Sequence, residues 1–413
     1  MTSRDIPAQH LPLRHPDKRD GPLAGIRIID LTTSIAGPYA SMLLGDMGAE
    51  IVKVERPGVG DDSRQWGPPF INGIALWYLA VNRNKRSLTL NYSVAEGYRL
   101  LLDLVRQSDV VLTNHVPRVQ KKLGIDDASL RAARADIVHV SLTGYGLTGE
   151  GADRPCYDII AEGISGVMDM TGELDNDPQK IGTPAADLLG GTDAAMACLA
   201  ALVERRSNGR GKKIDVSLVE SMTRLMTPIL MSHLGSGLGH RRSGAKDSVI
   251  AVYQMFHTAD EPLTLALPND GIWQRFCAAT GLNDFIDNPD FRDSPSRRKN
   301  RDVIVARIDK LLRTRPRDQW LALFAENRIP AGPINRIDQI AADIGLHQRG
   351  LFYAIPSAGE PIPQVGLGIQ FDGQPVGYRL APPGLGQDNE FVLGDILGLS
   401  AGEIAQLNRA NII

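Results

Sequence analysis

Residues 26–57 read as strand, helix and strand in immediate succession, and that order narrows the fold more than any other feature of the chain. IRIIDLT (26–32) is short, apolar and β-branched, the character of a buried parallel strand. GPYASMLLGDMGA (37–49) follows at helical period, with Pro38 at a plausible first helical position and Gly48 near the stop. EIVKVERP (50–57) closes a βαβ unit.

The alternation continues downstream. A helix is predicted over 95–108, strands at DVVLTN (109–114) and IVHVSLTGYG (137–146), alanine-rich helices around 188–206, and a strand at KKIDVSLVES (212–221). This is the pattern of an α/β fold, a Rossmann-like doubly wound domain whose ligands sit beyond the carboxyl ends of the strands. From Met222 a long helix is expected to about Leu238, followed by the glycine- and arginine-rich GSGLGHRRSGAKD. A smaller α/β unit then runs to about Asn327, with strands at VIAVYQMF and PLTLAL and helices around Trp273 and over 300–314. Helix and loop segments complete the chain. Residues 1–21, polar and proline-bearing, read as a loosely ordered arm without a signal peptide's apolar core.

Composition removes several functions. The 413 residues carry 45 Lys+Arg and 48 Asp+Glu without a block of like charge, so no basic face for nucleic acid is expected. With no run of eighteen or more apolar residues, no transmembrane helix and no membrane partner are expected. The three cysteines, Cys156, Cys198 and Cys277, are widely spaced; they support neither a disulfide framework nor a zinc site, and point to a reducing cytoplasmic location. The histidines lack HxxxH and HExxH spacings, so no metal site is expected. There is no GxSxG elbow. The first βα turn reads TTSIAGP (32–38) rather than GxGxxG, against a standard dinucleotide site, although its backbone N–H groups can still meet an anion or carbonyl. Cys156 reads as a small buried apolar side chain, because no base for a catalytic thiol is evident.

Asp187 sits in TPAADLLGG, ahead of an alanine-rich helix. Two readings fit that position. One is an N-cap aspartate. The other is a functional carboxylate stabilised by the helix N-terminus, with the two glycines letting a ligand approach.

Several long blocks, in order, resemble the family III CoA-transferases, the group of formyl-CoA:oxalate and carnitine CoA-transferases. They are PLAGIRIIDLTTSIAGPYASMLLGDMGAEIVKVERPGVGDDSR, NRNKRSLTLNY, DVVLTNHVPRVQKKLG, VSLTGYGLTGEG, YDIIAEGISGVMDMTGE, the Asp187 block, IPAGPINRIDQI and LAPPGLGQDNE. The likeness spans about residues 22–413.

The resemblance implies that Asp187 is the nucleophile. Its carboxylate attacks an acyl-CoA thioester to give an aspartyl–acyl anhydride, the released thiolate forms an aspartyl–CoA thioester, and an acceptor acid attacks that in turn. CoA or an acyl-CoA is then a substrate, with no permanently bound cofactor. The resemblance places CoA contacts at Ala36, Arg56, Leu90, Asn114 and Lys122, and an acyl site near Ile35, Trp66 and Tyr157. It also implies an interlocked homodimer with the active site between the large domain of one subunit and the small domain of the other. The large domain would comprise 22–221 and a returning segment 351–413, the small domain 245–326, with connectors at 222–244 and 327–350. Ile35 stands at a place that is polar in the formyl-CoA enzyme, and SGAKDSVI (243–250) lacks that enzyme's tetraglycine loop, which argues against formyl and oxalate specificity. Asp388 stands where many relatives have histidine. Arg64, Arg83, Arg86, Arg241 and Arg242 are candidates to meet the second carboxylate of a dicarboxylic acid. The alternative within the family is an α-methylacyl-CoA racemase, whose base is a histidine just before an aspartate; here Tyr157 precedes Asp158, and a phenol is a poor base at neutral pH.

Overall fold

Six strands pair in parallel to form the central sheet: β1 (Arg27–Asp30), β2 (Glu50–Glu55), β3 (Lys85–Thr89), β4 (Val110–Thr113), β5 (Val138–Thr143) and β6 (Lys213–Ser217). Their spatial order is β3-β2-β1-β4-β5-β6, which is that of a doubly wound sheet. The order reverses between β1 and β4, and this is where such a sheet opens a crevice at the strands' carboxyl ends. The computed structural model describes residues 10–413.

Helices cover both faces. On one, α1 (Ala36–Asp46) and α4 (Ala185–Asn208) pack together over β1, β4 and β5 around Ala40, Leu44, Leu112, Val140 and Ala194. On the other, α2 (Ala95–Arg106) buries Leu100, Leu101, Leu104 and Val105 against Val52, Leu88 and Val111. Two shorter helices, α3 (Asp158–Ile164) and α5 (Leu218–Leu225), both contact α4. By length and a mean hydropathy of 1.5, α4 is apolar enough to cross a membrane, yet 44% of that window is buried in this protein. Alanine and leucine give α4 that hydropathy, and its small residues, Gly191 among them, let it lie close to α1.

Four expectations are corrected. The strand predicted over 212–221 ends at Ser217, whose hydroxyl accepts from the Glu220 N–H and starts α5. The single helix expected from Met222 to Leu238 is two, α5 and Thr227–Ser236, broken at Met226. Pro228 has no N–H to continue the first helix and suits the opening turn of the second. The C-terminal stretch expected as helix and loop contains an antiparallel pair, Phe352–Ile355 with Ile362–Val365. That pair also fastens part of the arm expected to be loose: Leu13 bridges Ala354, and the Arg14 N–H donates to the Ala354 carbonyl at 2.9 Å. The rest of the arm, residues 1–9, lies outside the described residues.

The chain divides into two compact units. The first holds the sheet above and comprises the chain up to Val167, Lys180–Leu234 and Ile344–Ile413; the second comprises Met168–Gln179 and Gly235–Asp343. In the second unit, β7 (Tyr253–Phe256), β8 (Leu263–Ala266) and β9 (Ala331–Pro333) form an antiparallel sheet in the order β9-β8-β7. Its core is aromatic. Trp273 stacks on Phe285 at 5.8 Å and Trp320 on Phe324 at 5.7 Å.

Candidate active site at the switch point

The turn that follows β1 is held from beneath by charges sealed inside the protein. Asp30 accepts from Ser41 Oγ at 2.6 Å and from the Thr32 N–H at 2.9 Å, and Lys85 Nζ approaches it at 3.2 Å. Lys85 also donates to the Pro38 carbonyl and Asn82, each at 2.8 Å. Lys53 Nζ bridges the Thr32 carbonyl at 2.8 Å and Asp61 at 2.9 Å. Burial opposes the Asp30 charge, but Lys85, Lys53 and the two hydroxyls outweigh it and hold the carboxyl well below its usual range. Asp61 in turn accepts from the Ser34 N–H at 3.1 Å, and Ser34 sits in the left-handed region at φ +71°. Backbone held there by surrounding bonds is a mark of a functional turn.

Across the switch point, Asn114 locks this turn to the end of β4. Its Oδ1 accepts from the Thr33 N–H at 3.2 Å, and its Nδ2 donates to the Thr33 carbonyl at 2.8 Å. The N–H groups of Thr33 and Ser34 are therefore used within the protein. Those of Ala36 and Gly37, at the head of α1, take no partner among the described residues.

Between these turns lies a cavity of about 180 Å³. Thr33, Ser34 and Ala36 line it from β1, Asn114 and His115 from β4, and Thr143 and Gly144 from the end of β5. Cys156, Tyr157 and Asp187 close it, with Leu218 behind. Larger hollows of about 470 and 710 Å³ lie elsewhere, one at Asp17 and Arg379, the other at Tyr253 and Met255; neither contains Asp187.

Asp187 is the third residue of α4, not its N-cap. The cap residue is Pro184, which offers no side-chain bond. The exposed first-turn donors are satisfied instead by Asp158, which accepts from the Ala186 N–H at 2.8 Å and the Asp187 N–H at 3.4 Å. A second carboxylate thus occupies the helix terminus. Burial, and then the charge of Asp158, push the Asp187 carboxyl up to about 7. The adjacent glycines serve packing rather than ligand approach. A Cβ on Gly191 would stand 2.6 Å from the Ala36 carbonyl oxygen, and one on Gly190 2.6 Å from Leu218 Cδ2.

The other expected site residues are distributed unevenly. Ala36, Asn114, Tyr157 and Asp187 share the cavity. Ile35 is buried directly beside it, at the N-cap of α1. Leu90 is 1% exposed, its side chain in the core, so only its backbone can meet a ligand. Arg56 lies exposed after β2, paired with Asp62; Lys122 is exposed on the short helix Pro117–Leu123; Trp66 is half-buried after Asp62–Gln65. Three of the arginines considered for a second carboxylate are committed elsewhere. Arg64 pairs with Glu55 at 2.7 Å and stacks on Tyr78, Arg83 pairs with Asp46 at 2.6 Å, and Arg86 pairs with Asp388 at 3.2 Å. Arg241 and Arg242 belong to the second unit, where Arg242 donates to the Asp169 carbonyl at 3.1 Å.

Three cavity or near-cavity groups were not singled out by their sequence spacing: His115, Asp158 and Glu162. Tyr92 Oη lies 3.3 Å from His115 Nε2, and burial lowers the imidazole's pKa, leaving it neutral at pH 7. Cys156 is half-buried, its thiol raised by burial and by Asp187, the opposite of an activated nucleophile. Among the described residues no cluster of His, Cys, Asp or Glu has the composition to hold a metal ion.

A doubly wound α/β sheet with a cavity at its switch point and a perturbed carboxylate in it has the architecture of an α/β enzyme that takes its ligand there. The chain belongs to CoA-transferase family III, whose sequence profile matches residues 23–389. It is 37% identical over 387 residues to a succinate–glutarate CoA-transferase of Agrobacterium fabrum, covering 92% of this chain and 96% of that one. It is 34% identical over 394 residues to the succinyl-CoA:glutarate CoA-transferase of Mus musculus, covering 95% and 90% respectively. A CaiB/BaiF family protein from Brucella suis has the same fold with a TM-score of 0.80 at 33% identity, covering 92% of this chain and 100% of that one. The protein is a CoA-transferase acting on carboxylic acids, with CoA thioesters as substrates.

Proposed function

We propose that this enzyme moves CoA from a dicarboxylic acyl-CoA, with succinyl-CoA as the leading donor, to a second dicarboxylic acid through covalent intermediates on Asp187. The observation that carries this reading is the Asp187 carboxylate in the switch-point cavity, with no hydrogen-bond donor among the described residues and raised to about 7. A carboxylate of that basicity is a better nucleophile than an ordinary one, and a useful fraction is ionised at neutral pH. Attack on the thioester carbonyl forms the aspartyl–acyl anhydride and expels CoA thiolate. The thiolate attacks the aspartyl carbonyl, releasing the first acid and leaving an aspartyl–CoA thioester. The acceptor carboxylate attacks that thioester, and the returning thiolate completes the new acyl-CoA. Ala36 lines the cavity and its N–H takes no partner among the described residues, which makes it the candidate donor to the developing oxyanions.

The cavity is smaller than one that encloses a whole ligand, roughly 300–1,000 Å³, so it takes the reacting end while the nucleotide lies across the surface. Ala36, Arg56, Leu90, Asn114 and Lys122 are the contacts proposed for CoA, and Ile35, Trp66 and Tyr157 those for the acyl group. The relatives named for succinyl-CoA, glutarate and mesaconate support the dicarboxylate choice. The same proposal includes an interlocked homodimer and, from the three free cysteines, a cytoplasmic location.

The test is intact-protein mass spectrometry after mixing the chain with a panel of acyl-CoAs, followed by hydroxylamine. A mass gain with succinyl-CoA that hydroxylamine removes, absent from Asp187→Ala, is expected. No adduct with any donor, together with deuterium uptake at the α-carbon of a branched acyl-CoA, would replace the transferase mechanism by proton exchange.

A further inference from the structure

Glu162 lies one turn beyond Asp158 on α3 and is wholly buried. Its Oε2 accepts from the Ile181 N–H at 2.8 Å, while its Oε1 is sealed from solvent with no partner among the described residues. A buried carboxylate with a bare oxygen is costly; a carboxyl group is not, if that oxygen carries a proton and finds an acceptor. The acceptor is one helical turn away, where side chains four residues apart are neighbours. Asp158 spends Oδ1 on the first-turn N–H groups of α4 and leaves Oδ2 free for a donor.

We propose that Glu162 is a carboxylic acid at neutral pH that donates its Oε1 proton to Asp158, so that one shared negative charge caps α4 and fixes the backbone carrying Asp187. Glu162 is then a positioning residue, acting through Asp158 on the nucleophile. The charged surroundings agree. Burial and the neighbouring Asp158 raise the Glu162 carboxyl, against the Ile181 N–H and Lys180. Lys180 is exposed and donates to the Ile181 carbonyl at 2.7 Å. From α4, Asp187 faces Asp158, whose charge raises it, and Asp193 is held by Arg224 and Ser221 of α5. The remaining charge on α5, Glu220, faces solvent. As pH rises Glu162 ionises, the two carboxylates repel, and the cap on α4 loosens.

The proton can be read without turnover; only its effect on rate rests on Asp187 being the nucleophile. Infrared difference spectra of the full chain at neutral pH, wild type against Glu162→Gln, are expected to show a protonated-carboxyl band that the variant lacks. Absence of that band overturns the proposal. Acylation of Asp187 by succinyl-CoA, followed by mass across pH, supplies the second readout. Wild type is expected to slow at alkaline pH, and Glu162→Gln, which keeps a donor at any pH, to match the wild-type rate at pH 7 without the alkaline decline. Glu162→Ala is expected to be slower by about tenfold, the scale of one lost charge-assisted bond. A Gln variant that keeps the alkaline decline, or that is itself tenfold slower at pH 7, overturns the positioning role. If no donor acylates wild type, the nucleophile reading fails while the infrared band still decides the proton.

Discussion

At the scale of single residues, the same burial that makes Asp187 basic also makes it a liability for the fold. Its carboxyl is raised to about 7, whereas an unfolded aspartate ionises near 3.9. Between those values the folded state holds a proton that the unfolded state has released, so stability falls as pH rises. Above about 7 both states are ionised and the loss is complete. Asp187→Asn removes the penalty. With the side chain only half-buried, the variant is expected to be more stable than wild type by about 1–2 kcal/mol at pH 8 and indistinguishable at pH 4, measured by thermal unfolding. Activity runs the other way: acylation of wild type by an acyl-CoA is expected to rise with pH through about 7, because only the ionised carboxylate attacks. A flat profile between pH 5.5 and 7.5 would mean that Asp187 is already ionised. Sequence alone left Asp187 between a cap and a nucleophile, since both favour a helix start. The structure removes only the cap: Pro184 holds that position, and Asp158, arriving from another helix, accepts from the first-turn N–H groups.

At the scale of elements, the strands with apolar, β-branched runs, β1, β2, β4 and β5, were legible because burial on both faces writes that pattern directly. The edge strand β3 was not, for KRSLT opens with two charges. Lys85 is buried there because Asp30 and the Pro38 carbonyl receive it, and Arg86, half-buried, lies over Phe391 and pairs with Asp388. The Asp388 segment explains itself in the same place. Asp388 and Asn389 accept from the Ser87 and Thr89 N–H groups, covering the open edge of the sheet with side chains. Lys85→Met is the informative perturbation: burial pulls the Lys85 ammonium down to about 7 against the attraction of Asp30, so at pH 6, where it is charged, the change leaves Asp30 sealed beneath the β1 turn with a charge removed. Breaking one side of a buried pair costs about 3–5 kcal/mol, and that loss is expected in the denaturant midpoint at unchanged slope. A loss below about 1 kcal/mol would show that Lys53 alone holds Asp30.

At the scale of the whole molecule, several helices expose large apolar side chains. The helix Thr227–Ser236 buries none of its residues, although Met231 is 62% and Leu234 76% exposed. Val203 on α4 is 73% exposed, and Ile159, Ile160 and Ile164 on α3 are exposed as well. Apolar helices without a buried face are stable when a partner covers them. That surface is invisible to periodicity, because α4 carries apolar residues on its buried and exposed faces alike, Cys198 and Leu202 on the one and Met196 and Val203 on the other. A second copy of this chain is the occupant the proposed function requires. Light scattering at micromolar concentration is therefore expected to give twice the 44.8 kDa chain mass. Replacing Met231 and Leu234 together by glutamate buries two unpaired charges in a stable contact of roughly 1,600 Å², and is expected to weaken association by at least a hundredfold. If wild type is a monomer, the interlocked assembly is wrong and these helices are covered by something else. If the double variant stays dimeric, the interface lies on other faces of the unit, and α3 and α4 become the segments to change next.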